Sequence, residues 1–262
     1  MTTSLKAAVA FSTVESDRFG FRIGRWTLDA PVDAIEARAA VEGYDIVILR
    51  APAALTRLPI ELASVEDYVA ITADNLCYWE WRGGQPNDLD PPVGVHLVTT
   101  DSIDSIGDMV LDSFQRYPNH YATNPLLDSA KCLEGYQEWA ATIMASDSTT
   151  LTFEDDTGRG LGFAMVDWGG EKPDIKLVAV RPEARGRGLH AQLISACVDA
   201  AVERGRLPIL SSTQAHNTTV IRDWARLSFV PVETMATFHL IRRDLLLSAW
   251  GCQGARGTSG QK

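Results

Sequence analysis

The chain is poor in the features that announce several common functions. Its four cysteines, Cys77, Cys132, Cys197 and Cys252, are too far apart for a CxxC pair or a Cys/His cluster, which argues against a zinc site or a dithiol redox centre and leaves reduced, mostly buried thiols. Positive charge is scarce: 24 Lys and Arg face 34 Asp and Glu, a net charge of −10 and a pI near 5.0. That balance removes the broad basic footprint a nucleic acid or an anionic membrane surface would require, so neither is expected as a partner. No apolar stretch approaches the roughly 20 residues of a membrane span, and no basic segment followed by an apolar one opens the chain. A cytoplasmic protein is the expectation. The sequence also has no GxxxxGK[ST] and no GxGxxG leading into a second parallel βαβ unit, which sets aside the two commonest nucleotide loops. What is present is a 262-residue chain that is 45% apolar, enough for one sizeable core or two modest ones.

The run RGGQPNDLDPP at residues 82–92 concentrates turn formers and suggests a domain boundary. Domains over residues 1–92 and 93–250, with a disordered tail at 251–262, are therefore expected. Upstream, residues 22–26 and 45–49 read as strands around an Ala-rich helix at 32–41, with a further helix at 65–73. Downstream, capping residues at 99–102 precede a helix that should run to about Tyr117, and residues 127–144 read as a second helix. TLTFEDDTGRGLGFAMVDW reads as a hairpin turning at residues 155–159, and residues 175–180 as a strand stopped at Arg181-Pro182. LHAQLISACVDAAVER is an amphipathic helix over residues 189–204, followed by a strand at 207–210, a helix at 217–227 and closing strands at 231–242.

The sharpest local signal is KLVAVRPEARGRGLHAQLI, where a strand and a proline turn lead through Arg185-Gly186-Arg187-Gly188 into a helix. A helix N-terminus presents unbonded N–H groups and the positive end of the helix dipole, and glycines let an anion approach the backbone. An acidic protein can hold a pyrophosphate in this way, through local dipoles and a few arginines. Taken without its context, RGRG reads first as an ordinary surface loop; the strand before it and the helix after it turn the reading to an anion site.

The pattern V-x-P-x-x-R-G-x-G, together with AHNTTVIRDWARLSFVPV, resembles the acetyl-CoA signature and last-helix segment of the GNAT N-acetyltransferases over about residues 94–245. The resemblance implies an α/β (α+β) GNAT fold with a mixed, mostly antiparallel sheet, and acetyl-CoA as co-substrate with no metal. It implies that strand 175–180 splays from its neighbour and that backbone groups of Val178, Ala179 and Val180 bind the pantetheine arm. Arg185, Gly186, Arg187, Gly188, Leu189 and His190 would hold the pyrophosphate, and Asn217 would contact the cofactor. Three positions depart from the pattern: His190 stands for Gly or Ala, Ser228 for the glycine before Phe229, and Trp224 for the tyrosine that commonly protonates the thiol. Tryptophan cannot serve as an acid, so Trp224 is expected to pack beside the thioester or to fill the core.

A narrower similarity, in ESDRFGFRIGRW, FQRYPNHYATNPLL with GYQEW, and STQAHNT, is to sugar-nucleotide aminosugar acetyltransferases of the dTDP-fucosamine type. It implies an N-terminal domain that is a reduced GNAT half and a small amine acceptor such as a dTDP-amino sugar; a homodimer stays open. Transfer requires a neutral amine against the thioester carbonyl, donors for the oxyanion and a proton for the thiolate. His120 and His216 are the candidates for proton transfer, with Tyr121 and Ser212 as further polar groups; each also has an ordinary structural role available. Tyr78, Trp79 and Trp81, and likewise Glu138 and Trp139, are expected either to touch the ligand or to pack. The alternatives are a CoA-binding protein without transferase activity, or the same fold using another acyl-CoA, by longer-chain transfer or decarboxylation.

Overall fold

The computed structural model describes residues 8–84, 89, 91–115 and 117–254. The first elements are β1 (Ala10–Phe11), α1 (Thr13–Phe19), β2 (Ile23–Thr27), α2 (Ala34–Val41), β3 (Ile46–Pro52), α3 (Leu58–Ala63) and β4 (Tyr68–Trp81). Then come β5 (Val95–Thr99), α4 (Ile103–Phe114), α5 (Ser129–Met144), β6 (Ser148–Asp155), β7 (Gly160–Asp167) and β8 (Asp174–Val180). The chain continues through α6 (Leu189–Glu203), β9 (Ile209–Gln214), α7 (Thr218–Arg226), β10 (Val230–Arg242) and α8 (Arg243–Gly254). Short 3₁₀ turns occupy His120–Thr123 and Pro182–Ala184.

Two compact units result, and they do not follow the sequential division expected. The first gathers Met1–Leu76, Asn119–Cys132 and Thr234–Lys262; the second gathers Cys77–Pro118 and Leu133–Glu233. The difference arises because β10 pairs with β3 over Met235–Ile241, which returns the end of the chain to the first unit. Of the expected linker, residues 85–88 and 90 lie outside the described residues. The segment at 65–73, expected as a helix, instead enters the 14-residue strand β4. Residues 251–254, expected in the tail, are the last residues of α8, and the remainder of that tail lies outside the described residues.

In the first unit, β2 and β3 run parallel (Ile23↔Ile46), joined by α2, and β3 runs antiparallel to β10. Helix α2 starts where Asp33 and Glu36 form a reciprocal capping box, which satisfies two otherwise free amides of its first turn. One face of this sheet packs Leu49, Phe238 and Leu240 against Ala37, Val41, Leu58 and Leu62 of α2 and α3. The other face brings Ile23, Ile46, Ile48 and Ile241 against Phe19, Leu127 and Leu246.

In the second unit β5, β6, β7 and β8 form an antiparallel meander, with β9 parallel to β8. The β6–β7 turn is closed by Asp155, whose Oδ1 accepts from the amides of Thr157 at 2.9 Å and Arg159 at 3.1 Å, the local bonding for which aspartate is favoured in turns. Alternation along β7 divides the core. Phe163 and Met165 face α4 and α5, whereas Ala164 and Val166 face Leu193, Ile194 and Cys197 of α6.

Candidate active site

The site is built around an irregularity in β8. Pairing with β7 jumps from Met165↔Leu177 to Val166↔Ile175, so Lys176 is bulged out of register. A bulge changes the face a strand presents. Ile175 packs in the core under α6, while Leu177 and Ala179 join the cluster under α4 and α5. The ladder to β9 covers Asp174↔Leu210 and Ile175↔Ser211 and ends at this bulge. Ser211 reinforces the last pair by donating its hydroxyl to the Ile175 carbonyl at 3.1 Å. From Leu177 to Val180 the β8 backbone is bonded to β7 on one side and opens towards β9 on the other. Buried backbone polar groups seldom go without partners, and an unpaired strand edge is a place where an extended molecule with amide groups of its own can bond.

The loop after β8 supplies the second half of the site. Gly186 and Gly188 take φ of 77° and 79°, and a Cβ placed on either would meet nothing within 4 Å. Their need for glycine is therefore conformational, since L side chains rarely adopt this region. The space above them is open. Gly188 is the N-cap of the 15-residue helix α6 and provides no side-chain hydrogen bond to its first turn, leaving amides and the positive dipole end facing outward. Leu189 anchors the helix start in the core with 1% exposure, and Arg187 is exposed. Arg185 is turned back: its guanidinium donates to the Val180 carbonyl at 3.1 Å and the Ser113 carbonyl at 3.3 Å. It fixes the loop to β8 while keeping its charge beside it. His190 Nδ1 lies 3.0 Å from Asp223 Oδ2, joining α6 to α7.

The β9–α7 junction holds the polar groups. Asn217 donates from Nδ2 to Thr213 at 3.1 Å and approaches the Tyr117 hydroxyl at 3.5 Å. Tyr117 donates in turn to Gln214 Oε1. His216 is exposed and stands against the Tyr117 ring, with centroids 6.5 Å apart. Ser212 is half-buried on β9. Trp224 is only 2% exposed and packs between Trp79 and Phe229, each 6.1 Å away by ring centroid. The indole N–H groups of Trp79 and Trp224 are buried without a hydrogen-bond partner among the described residues. Trp81 belongs to the same core.

His120 and Tyr121 belong to the first unit, and none of the expected CoA-binding residues does. His120 Nδ1 lies 3.0 Å from His239 Nε2. Tyr121 donates to Glu15 at 2.5 Å and accepts from Arg25 at 2.7 Å. Burial, with the neighbouring His239, Arg25 and Arg50, pushes the His120 pKa well below its usual value, and the same burial takes His239 down to about 3. Tyr117, Gln214 and Asp223 were not singled out in the sequence. Tyr117 sits just past a helix end, where nothing local marks a site; its partners come from more than 90 residues away.

Residues 110–229 match the Acetyltransferase (GNAT) family. The GCN5-related N-acetyltransferase from Kribbella flavida superposes with a TM-score of 0.57 at 15% identity, covering 84% of this chain and 81% of that one. The chain has the GNAT fold. A GCN5-related N-acetyltransferase from Sphaerobacter thermophilus gives a TM-score of 0.54 at 19% identity, over 74% of this chain and 59% of that one. A tandem GNAT protein from the clavulanic acid biosynthesis pathway, solved without acetyl-CoA, gives 0.55 at 16% identity, over 79% and 67%. Among curated sequences, the spore coat polysaccharide biosynthesis protein SpsD of Bacillus subtilis (strain 168) is 20% identical over 137 residues, 52% of this chain and 47% of that protein. The match thus spans about half the length of that relative. Among the described residues no helix is long and apolar enough to cross a membrane. In a GNAT fold, the bulged and splayed β8, the glycine loop and the start of α6 are the parts to which the sequence motif points.

Proposed function

We propose that this chain moves the acetyl group of acetyl-CoA directly to a primary amine of a small acceptor. The observation that carries the reading is the end of the β8–β9 ladder at Ile175, beside an α6 N-terminus left open by Gly186 and Gly188. An extended, amide-bearing pantetheine arm suits the β8 edge from Leu177 to Val180, which lies beyond the end of the β9 ladder, and a pyrophosphate suits the first amides of α6. Asn217 and the Arg185-to-His190 loop line the path. Backbone N–H groups of the opened edge are suitably typed to stabilise the oxyanion that forms as the amine attacks the thioester carbonyl.

The departing thiolate needs a proton. Trp224 has none to give, and its packing between Trp79 and Phe229 is that of a core residue. Tyr117, held by Gln214 and Asn217 at the β9–α7 junction, is the phenol we assign to that step, with the exposed His216 beside it as the group to relay protons. His120, bonded to His239 within the first unit, is given no part in the proton transfer we propose.

For the acceptor we propose a nucleotide-linked amino sugar in the cytoplasm. The support is the motif similarity in the N-terminal segment and around residue 120, together with the polysaccharide-biosynthesis name of the Bacillus relative. Following free-thiol release from acetyl-CoA across a panel of dTDP-amino sugars tests this directly. Turnover with at least one member is expected; hydrolysis-level release with all of them, while simple polyamines or peptides turn over, overturns the acceptor class. A second reading, CoA binding without transfer, is favoured by Trp224, and tight acetyl-CoA binding with no turnover against any amine would establish it.

A further inference from the structure

Two cross-strand partners in the first unit bury polar atoms that find no hydrogen-bond partner among the described residues. Arg50 on β3 stands opposite Thr237 on β10, and both Arg50 Nε and Thr237 Oγ1 are buried without a hydrogen-bond partner among the described residues. Thr237 is 0% exposed. Directly opposed residues of an antiparallel pair have Cβ atoms about 5 Å apart, so the two orphans share one spot on the sheet. Buried donors left unpaired are uncommon and ask for a missing partner.

A third donor follows from the tautomers. The amide of Asn124 is oriented by its oxygen, which accepts from the Leu126 N–H at 3.1 Å, so Nδ2 is the atom that faces His239 Nδ1 at 3.1 Å. His239 Nδ1 therefore accepts, its proton sits on Nε2, and that N–H donates to His120 Nδ1 at 3.0 Å. A neutral His120 must then carry its own proton on Nε2. His239 is two residues from Thr237 on the same face of β10, and the Arg50 charge is felt at His120.

The local charge points the same way. Glu15, 4% exposed, is already taken by Arg25, whose Nε donates to it at 2.7 Å, and by Tyr121. Arg50 makes no ion pair among the described residues, and a partly buried guanidinium without a counter-charge is unfavourable. The Arg50 guanidinium, the Thr237 hydroxyl and the His120 N–H, one of them cationic, are groups complementary to an oxyanion.

We infer that the first unit binds an oxyanion, the phosphate or carboxylate of a small ligand, between Arg50, Thr237 and His120. The site is independent of the CoA loop and gives His120 a binding role.

The test uses the full chain and two probes, inorganic phosphate and acetate, each titrated by calorimetry against chloride at matched ionic strength. Saturable binding of one probe is expected, and which one binds identifies the source as phosphate or carboxylate. R50M should weaken it at least tenfold, and T237V, which keeps the side-chain shape and loses the hydroxyl, roughly three- to tenfold. R50M should keep its affinity for acetyl-CoA, because Arg50 lies outside the CoA loop. If R50M fails to fold, T237V carries the comparison. Binding of neither probe above the chloride control, or binding unchanged in the folded variants, overturns the site and leaves an ordered water as the partner of the orphaned atoms.

Discussion

The hydroxyl of Tyr117 lies 3.5 Å from Nδ2 of Asn217, and the same hydroxyl donates to Gln214. The junction of β9 and α7 thereby holds a phenol in the unit that carries the glycine loop, in a fold whose usual tyrosine position is occupied by Trp224. Removing only that hydroxyl should separate chemistry from binding. Y117F is expected to lower kcat by about 10²-fold with KM for acetyl-CoA within about twofold, the loss typical of a missing general acid. Steady-state kinetics checks it; an unchanged kcat would move the proton donor elsewhere.

Trp224 should behave as packing. W224F retains a ring between Trp79 and Phe229 and, having lost no acid, should keep kcat within about threefold while costing about 1–2 kcal/mol in packing. W224A should cost about 3–5 kcal/mol, the range for emptying a buried aromatic site. Denaturant unfolding combined with kinetics distinguishes this from a catalytic tryptophan, for which both variants would lose activity in parallel.

Ser228 adopts φ of 64°, the left-handed region, at the position where the family pattern has glycine. A side chain there is strained, so S228G is expected to stabilise the fold by about 1 kcal/mol. Conversely, G188A places a side chain at φ of 79° and should destabilise by a similar amount while raising KM for acetyl-CoA. Thermal melts and KM values read both effects.

The histidine pair makes stability depend on pH. An unfolded histidine titrates near 6.5, whereas folded His239 is held at about 3 and His120 well below its usual value by burial. Between pH 6.5 and 3 the unfolded chain binds more protons, so stability is complete above 6.5 and falls as the pH drops through that window. Each such proton contributes a slope of about 1.4 kcal/mol per pH unit. Unfolding midpoints measured from pH 7 to 5 should therefore decline, and the decline should flatten in H120N/H239N.

Much of the second unit was legible because its signals are local. The β6–β7 hairpin announces itself through Asp155 and Gly158, and α6 through an amphipathic period preceded by two glycines. The first unit was harder. Residues 65–73 carry a short apolar run without a clear period, and their place in β4 is decided by neighbouring strands, which outweigh intrinsic preference. The return of residues 119–132 to the first unit depends on contacts such as His120 with His239, 119 residues apart; no local pattern encodes them. That is why the bond of His120 to His239 is not legible in the sequence. The role of Tyr117 was hidden for the same reason, since its hydrogen bonds to Gln214 and Asn217 span 97 and 100 residues.

The claim that β8 and α6 form the acetyl-CoA site is tested most directly by a crystal structure of the full chain with acetyl-CoA. Density for the pantetheine arm along Leu177 to Val180, with the pyrophosphate over Gly186 to His190, is the expected result. A β8–β9 gap without ligand at saturating acetyl-CoA, or the cofactor bound elsewhere on the chain, would contradict it.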